Sequence, residues 1–118
     1  MTEDKDFIPA VQHTHEFYIV APNNERVSTA DIQWRNGACW LTNVWTHHEY
    51  RHRRFADRLV RRALTEYPAI DVYLMVHPYT DHPMNEYHLI DWYAKFGFTL
   101  IPDAPGIMVR KAVTQDVA

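Results

Sequence analysis

The stretch Val44-Trp45-Thr46-His47-His48-Glu49-Tyr50-Arg51-His52-Arg53-Arg54-Phe55-Ala56-Asp57-Arg58-Leu59-Val60 changes its period half-way. Up to Thr46 the residues are β-branched and aromatic, as in a strand. From Arg53 onward Phe55, Ala56, Leu59, Val60, Ala63, Leu64 and Tyr67 recur at three- and four-residue steps, with Arg54, Asp57, Arg58, Arg61, Arg62 and Glu66 on the opposite face. The spacing predicts an amphipathic helix over 53–67, stopped by Pro68. The backbone N–H groups that open a helix lack partners and carry the positive end of its dipole, so a strand, a cationic loop and a helix start together make a phosphate cradle. Arg51, Arg53 and Arg54 strengthen it. For Arg58, Arg61 and Arg62 the plainer reading is a solvated helix face.

Upstream, residues 17–21 are rich in β-formers and run into the turn cluster Pro22-Asn23-Asn24-Glu25, then a second strand over 26–34. Asn36-Gly37 is a two-residue hairpin signal leading into a third strand over 38–46. Downstream, Asp71-Val72-Tyr73-Leu74-Met75-Val76 is a short apolar run between Pro68 and Pro78, the pattern of a strand buried on both faces. A second helix is predicted over 84–96, with Gly97 as its left-handed cap. Two strands over 98–101 and 107–111, separated by Pro102-Asp103-Ala104-Pro105-Gly106, close the chain. The order is β-β-β-α-β-α-β-β.

A chain of 118 residues is one domain, long enough for one hydrophobic core and too short for two. The expected unit is 1–118, with frayed ends at about 1–14 and 114–118. Its 47% apolar and 14% aromatic content excludes a disordered tail. The net charge of −3 excludes a global basic field for nucleic acid or an anionic membrane. Cys39 is the sole cysteine, so there is no intramolecular disulfide framework and no multi-cysteine metal site. With an acidic start and no apolar run of membrane-spanning length, the sequence reads as a cytoplasmic protein.

Eight histidines oblige a test for metal. His48-Glu49-Tyr50-Arg51-His52 matches H-E-x-x-H, in which two histidines one helical turn apart hold zinc and the glutamate activates water. That motif belongs inside a helix, whereas here Arg51, Arg53 and Arg54 crowd the site and a strand precedes it. A zinc metallopeptidase is therefore the lesser alternative, and no metal is expected. The four tryptophans, Trp34, Trp40, Trp45 and Trp92, read as half-buried sheet and core packing. Cys39 has no convincing base partner and is not a nucleophile.

The segment Tyr50-Arg51-His52-Arg53-Arg54-Phe55-Ala56 resembles the R/Q-x-x-G-x-G/A loop of the GNAT acyl-CoA N-acyltransferases, and Trp92-Tyr93-Ala94-Lys95-Phe96-Gly97-Phe98 is similar to that family's L-Y-x-K-x-G-F helix end. The resemblance spans about residues 17–111. It implies an α+β GNAT-like fold, a mixed, mostly antiparallel twisted sheet with helices packed on it. It also implies an N-acetyltransferase that moves an acetyl group from acetyl-CoA to an amine by direct transfer. Val44, Trp45 and Thr46 would offer backbone hydrogen bonds to the pantetheine arm. Arg51, His52, Arg53, Arg54, Phe55 and Ala56 would hold the pyrophosphate, Asn85 is the nearest counterpart of the family asparagine, and Tyr93 would return a proton to the departing thiolate.

Two residues depart from the family pattern. Arg54 stands where the loop has its central glycine, and Trp40 stands where some members carry a glutamate base. His47, His48 and His77 are the remaining candidates for that base. These departures motivate the main alternative, a catalytically inactive GNAT-fold binding or structural module. Only about 16 residues precede the first hairpin, too few for the strand and two helices the family places there. The expectation is a short member with an open acceptor side. That side would suit a large substrate, small molecule or protein, or a completing partner, and an exposed tryptophan surface would support a homodimer. The loop His77-Pro78-Tyr79-Thr80-Asp81-His82-Pro83 would shape the acceptor site.

Overall fold

The structure, a computed structural model, describes residues 13–76 and 86–113. Strands β1 (His13–Val20), β2 (Arg26–Arg35), β3 (Ala38–Thr46), β4 (Val72–Met75), β5 (Thr99–Leu100) and β6 (Ile107–Arg110) form one sheet in the order β1-β2-β3-β4-β6-β5. Helix α1 (Phe55–Glu66) follows β3 and helix α2 (Glu86–Ala94) follows β4. Only β3 and β4 run parallel; the other neighbours are antiparallel. The element order is the one the sequence predicts.

Local chemistry accounts for most boundaries. Asn36 and Gly37 both take positive φ, 49° and 81°, the requirement of the tight turn that joins β2 to β3. Strand β1 starts earlier than residue 17, because the hairpin register continues upstream and pairs Thr14 with Gln33 and Glu16 with Asp31. His13 and Thr14, expected to fray, therefore lie in the ladder. Helix α1 starts at Phe55 rather than Arg53, since Arg54 is left-handed at φ 60° and cannot continue a right-handed helix. The part of the second predicted helix at residues 84 and 85, and the loop 77–83, lie outside the described residues. After α2 the chain turns at Gly97, φ 99°, where an added Cβ would come within 3.3 Å of Arg110 Cγ.

Both helices pack on the same face of the sheet. The core joins Leu59, Val60, Ala63 and Leu64 of α1 and Leu89 and Tyr93 of α2 to Ala30, Ile32, Leu41, Val72, Leu74 and Met108. Arg110, 8% exposed, lies beneath α1 and donates to the carbonyls of Leu64 (3.4 Å), Tyr67 (2.7 Å) and Ile70 (3.0 Å), ending the helix where Pro68 stops it. The opposite face, which carries Tyr18, Trp40, Tyr73 and Met75, has no described helix over it. This corrects the reading of 71–76 as a strand buried on both sides: Met75 is 59% exposed. No described helix is long and apolar enough to cross a membrane.

Two features shape the middle of the sheet. The β2–β3 register runs Asp31 to Thr42 but Thr29 to Trp45, so β3 contains one extra residue, and Asn43 sits there at φ 53°. Strands β3 and β4 pair at only two positions, Cys39 with Val72 and Trp40 with Tyr73. Beyond them β3 runs on to Thr46, on the order of 20 Å at about 3.3 Å per residue, with no described strand on its β4 side.

Candidate active site

A cleft of about 780 Å³ lies where β3 leaves β4. Its walls bring together nine of the residues singled out in the sequence: Val44, Trp45, Thr46, Arg51, His52, Arg54, Phe55, Ala56 and Tyr93. Arg53 is not on the wall; its guanidinium lies over the Tyr50 ring, 5.2 Å from the centroid. Asn85 lies outside the described residues, as does His77.

The strand wall is held from one side. The Ser28 hydroxyl donates to the Trp45 carbonyl at 3.1 Å and meets Thr46 Oγ1 at 2.8 Å, while the His47 N–H donates to the Val27 carbonyl at 2.7 Å. The backbone groups of Val44 and Trp45 that point away from β2 meet no described strand, whereas the Thr46 carbonyl on that side accepts from Arg51.

The loop that follows is a 3₁₀ turn, His48–Tyr50, then extended Arg51 and left-handed His52 (φ 73°) and Arg54 (φ 60°). His48 and His52 therefore do not share a helix face, and the H-E-x-x-H spacing loses the geometry that would aim both rings at one metal. Among the described residues no group of three or more His, Cys, Asp and Glu side chains is placed to hold a metal ion. His47 accepts the Glu49 N–H through Nδ1 at 3.2 Å and stacks on His48 at 4.4 Å, away from the cleft wall. Arg51 Nε donates to the Thr46 carbonyl at 3.1 Å, folding the loop back against the strand end.

The start of α1 has no side-chain cap. The amides of Phe55, Ala56 and Asp57 and the dipole of a twelve-residue helix thus face the cleft beside Arg51, Arg54, Arg61 and Lys95, against the single carboxylate of Asp57. This excess of positive charge fits a ligand bearing several phosphates. Arg54 takes the left-handed conformation in which glycine is the default residue, so the glycine-type turn persists without glycine.

Asp57, Arg61, Trp92 and Lys95 also line the cleft, and the sequence reading did not single them out as site residues. Asp57 binds Arg61 Nε at 2.7 Å and Lys95 Nζ at 2.6 Å. Burial pushes its carboxyl up, but the hydrogen bonds from Lys95 and Arg61 outweigh that and hold it below the ordinary value. The i,i+4 spacing of Asp57 and Arg61 was a readable signal. Tyr93 is 8% exposed, edge-on to Trp92 at 5.0 Å and to Phe98 at 6.0 Å. Cys39 is buried and its thiol is pushed up to about 11 by that burial, in keeping with an inert core cysteine.

Residues 13–100 match the family model described as "Acetyltransferase (GNAT) domain". The chain belongs to the GNAT family. Among solved structures this GNAT domain is similar to the PaiA N-acetyltransferase of Thermoplasma acidophilum in complex with coenzyme A, at 16% identity and a TM-score of 0.61, covering 83% of this chain and 60% of that one. It is similar also to the anti-CRISPR protein AcrVA5, at 14% identity and TM-score 0.59, over 81% of this chain and 96% of that one. A GNAT acetyltransferase of Staphylococcus aureus Mu50 gives 14% identity and TM-score 0.61, over 83% and 68%. At these identities the likeness is one of fold, and the chain spans only 60% of the Thermoplasma protein. No curated protein sequence matches it. The α+β GNAT fold, with its mixed six-stranded sheet, is the one the sequence predicts.

Proposed function

We propose that this GNAT domain transfers a short acyl group, acetyl in the first instance, from coenzyme A to an amine by direct attack. One observation carries the reading: a single cleft joins a strand edge that no described strand pairs with, an uncapped helix start ringed by cations, and Tyr93. The first part suits an extended amide-bearing arm, the second a pyrophosphate. A phenol on the wall can supply the proton that a departing thiolate needs. The residues present fit coenzyme A, which when bound supplies the activated thioester; the chain's own groups bind, orient and move protons. The acceptor is an amine, on a small molecule or a protein.

The test is thiol release from acetyl-CoA with a panel of amines, followed by product mass. Wild type releases thiol only with both substrates present, and Tyr93→Phe lowers kcat by about 10²-fold or more with KM for acetyl-CoA little changed. No binding of acetyl-CoA at millimolar concentration would overturn the reading. Binding without transfer to any amine would favour the inactive binding module instead.

A further inference from the structure

The sheet ends differently on its two sides. At one edge β5 is two residues long, and shortness is a common guard against pairing with another chain. At the other edge β1 runs for eight residues with no lysine and no proline, and its bulge falls only at the last step, between Ile19 and Val20. Among the described residues β1 is paired on its β2 side alone. Tyr18 and Val20 are 46% and 44% exposed, and a hollow of about 510 Å³ opens beside Thr14, His15, Glu16 and Tyr18, so a partner can reach the strand.

The charge on this edge is arranged around Tyr18. Arg26 Nη2 donates to Glu16 Oε1 at 3.2 Å, and the same guanidinium lies over the Tyr18 ring, 3.8 Å from its centroid. Both charged side chains are about half exposed, at 46% and 50%. Asp31, opposite Glu16 in the β1–β2 register, is 7% exposed and held by Asn43 Nδ2 at 2.8 Å, so it is turned to β3 rather than to the edge. The Glu16–Arg26 pair is left as the charge at the middle of the strand.

We propose that β1 pairs antiparallel with β1 of a second copy of this chain, about a two-fold axis through Phe17, joining two six-stranded sheets into one. The inference goes beyond the acyltransferase reading and does not depend on it. A two-fold axis normal to the sheet keeps the helices of both copies on one face, so helix-side residues must stand opposite helix-side residues. That condition excludes every register shifted by one residue. Centring the pair on Glu16 sets two carboxylates face to face, which is destabilising. Centring it on Tyr18 pairs only residues 16–20 of β1. Centring it on Phe17 pairs residues 14–20 and sets Glu16 opposite Tyr18 of the second copy. Because Arg26 already lies over Tyr18, each guanidinium then comes beside the second copy's Glu16 as well as its own. The charges alternate across the joint, and the exposed surface of Tyr18 and Val20 leaves water. Strand β2 separates this joint from β3 and the cleft, so each copy keeps its own cleft open.

The test is sedimentation velocity over a dilution series, with wild type, Glu16→Lys, Arg26→Glu and an equal mixture of the two variants. Wild type is expected to sediment as a dimer that dissociates on dilution. Glu16→Lys leaves only cations at the joint and Arg26→Glu only carboxylates, so each alone should raise the dimer Kd by at least about 10-fold. The mixture sets the cations of one chain against the carboxylates of the other and should restore the dimer. Both chains of the mixture have lost their internal Glu16–Arg26 pair, so recovery reports contact between chains. Circular dichroism checks that each variant is folded. A second measurement needs no variant: hydrogen exchange of the β1 amides in wild type should slow as concentration rises. A wild type that is monomeric at millimolar concentration, a dimer that neither variant weakens, or a mixture that stays monomeric would overturn the proposal. Protection of β1 that is the same at every concentration would assign the edge to the chain's own residues, and overturn it too.

Discussion

Asp57 Oδ2 lies 2.6 Å from Lys95 Nζ, so the first turn of α1, where the uncapped amides are, is tied to the chain just after α2, two residues from Tyr93. The carboxylate is mostly sheltered, at 14% side-chain exposure, and its other oxygen is held by Arg61. One side chain thereby fixes the spacing between the uncapped helix start at one end of the cleft and its tyrosine wall.

Asp57→Asn should cost about 1–2 kcal/mol of stability, the scale of hydrogen bonds to a charged group discounted for two partly exposed cations. The pH dependence has a definite sign. The folded carboxyl titrates below its ordinary value of 3.8, so its contribution is present above that pH and is lost as pH falls through the lower folded value. Urea unfolding at pH 7 should therefore show a clear gap between variant and wild type, closing as the pH falls below 3.8 and through the lower folded value. A gap that persists unchanged in acid would contradict the ion-pair account.

Arg54→Gly removes a left-handed arginine from the entrance of α1. The relief of roughly 1 kcal/mol of backbone strain exceeds the entropic cost of glycine by a small margin, so the melting temperature should hold or rise by a few degrees. The same change deletes a cation from the cleft. Coenzyme A affinity should then fall less steeply with added salt than in wild type, which calorimetry at two ionic strengths reads directly.

Arg110→Met strands the carbonyls at the end of α1. With the Leu64, Tyr67 and Ile70 bonds gone, stability should fall by about 2–4 kcal/mol, seen as a lower urea midpoint at unchanged slope. Arg110→Lys, which keeps the charge but cannot fork to three carbonyls, should recover less than half of that loss.

The sequence disclosed what local chemistry decides. Asn36-Gly37 dictated a hairpin, the apolar steps from Phe55 to Leu64 dictated a one-sided helix, and Gly97 closed α2; each rests on backbone preferences within a few residues. The change from strand to loop to helix between Thr46 and Phe55 was visible for the same reason. The bulge at Asn43 was not, because an asparagine in a strand announces a left-handed residue only once the partner register is known. Nor could the chain reveal that Asp57 meets Lys95, or that Asp31 meets Asn43, since those contacts depend on how distant elements pack. The apolar run at 71–76 misled because such a run reports burial on average; Tyr73 and Met75 face a side that neither described helix reaches.

The two-position seam between β3 and β4 divides the sheet into two half-sheets, β1 to β3 and β4 to β5, with very little ladder to hold them in register. Among the described residues the helices and Arg110 clamp them from one side. A coenzyme arm in the gap, as proposed above, would take the place of a missing strand and bond to backbone on its flank, so occupancy there would be a structural event as well as a chemical one. The molecule is a sheet left unstitched along the line where its ligand would be the thread.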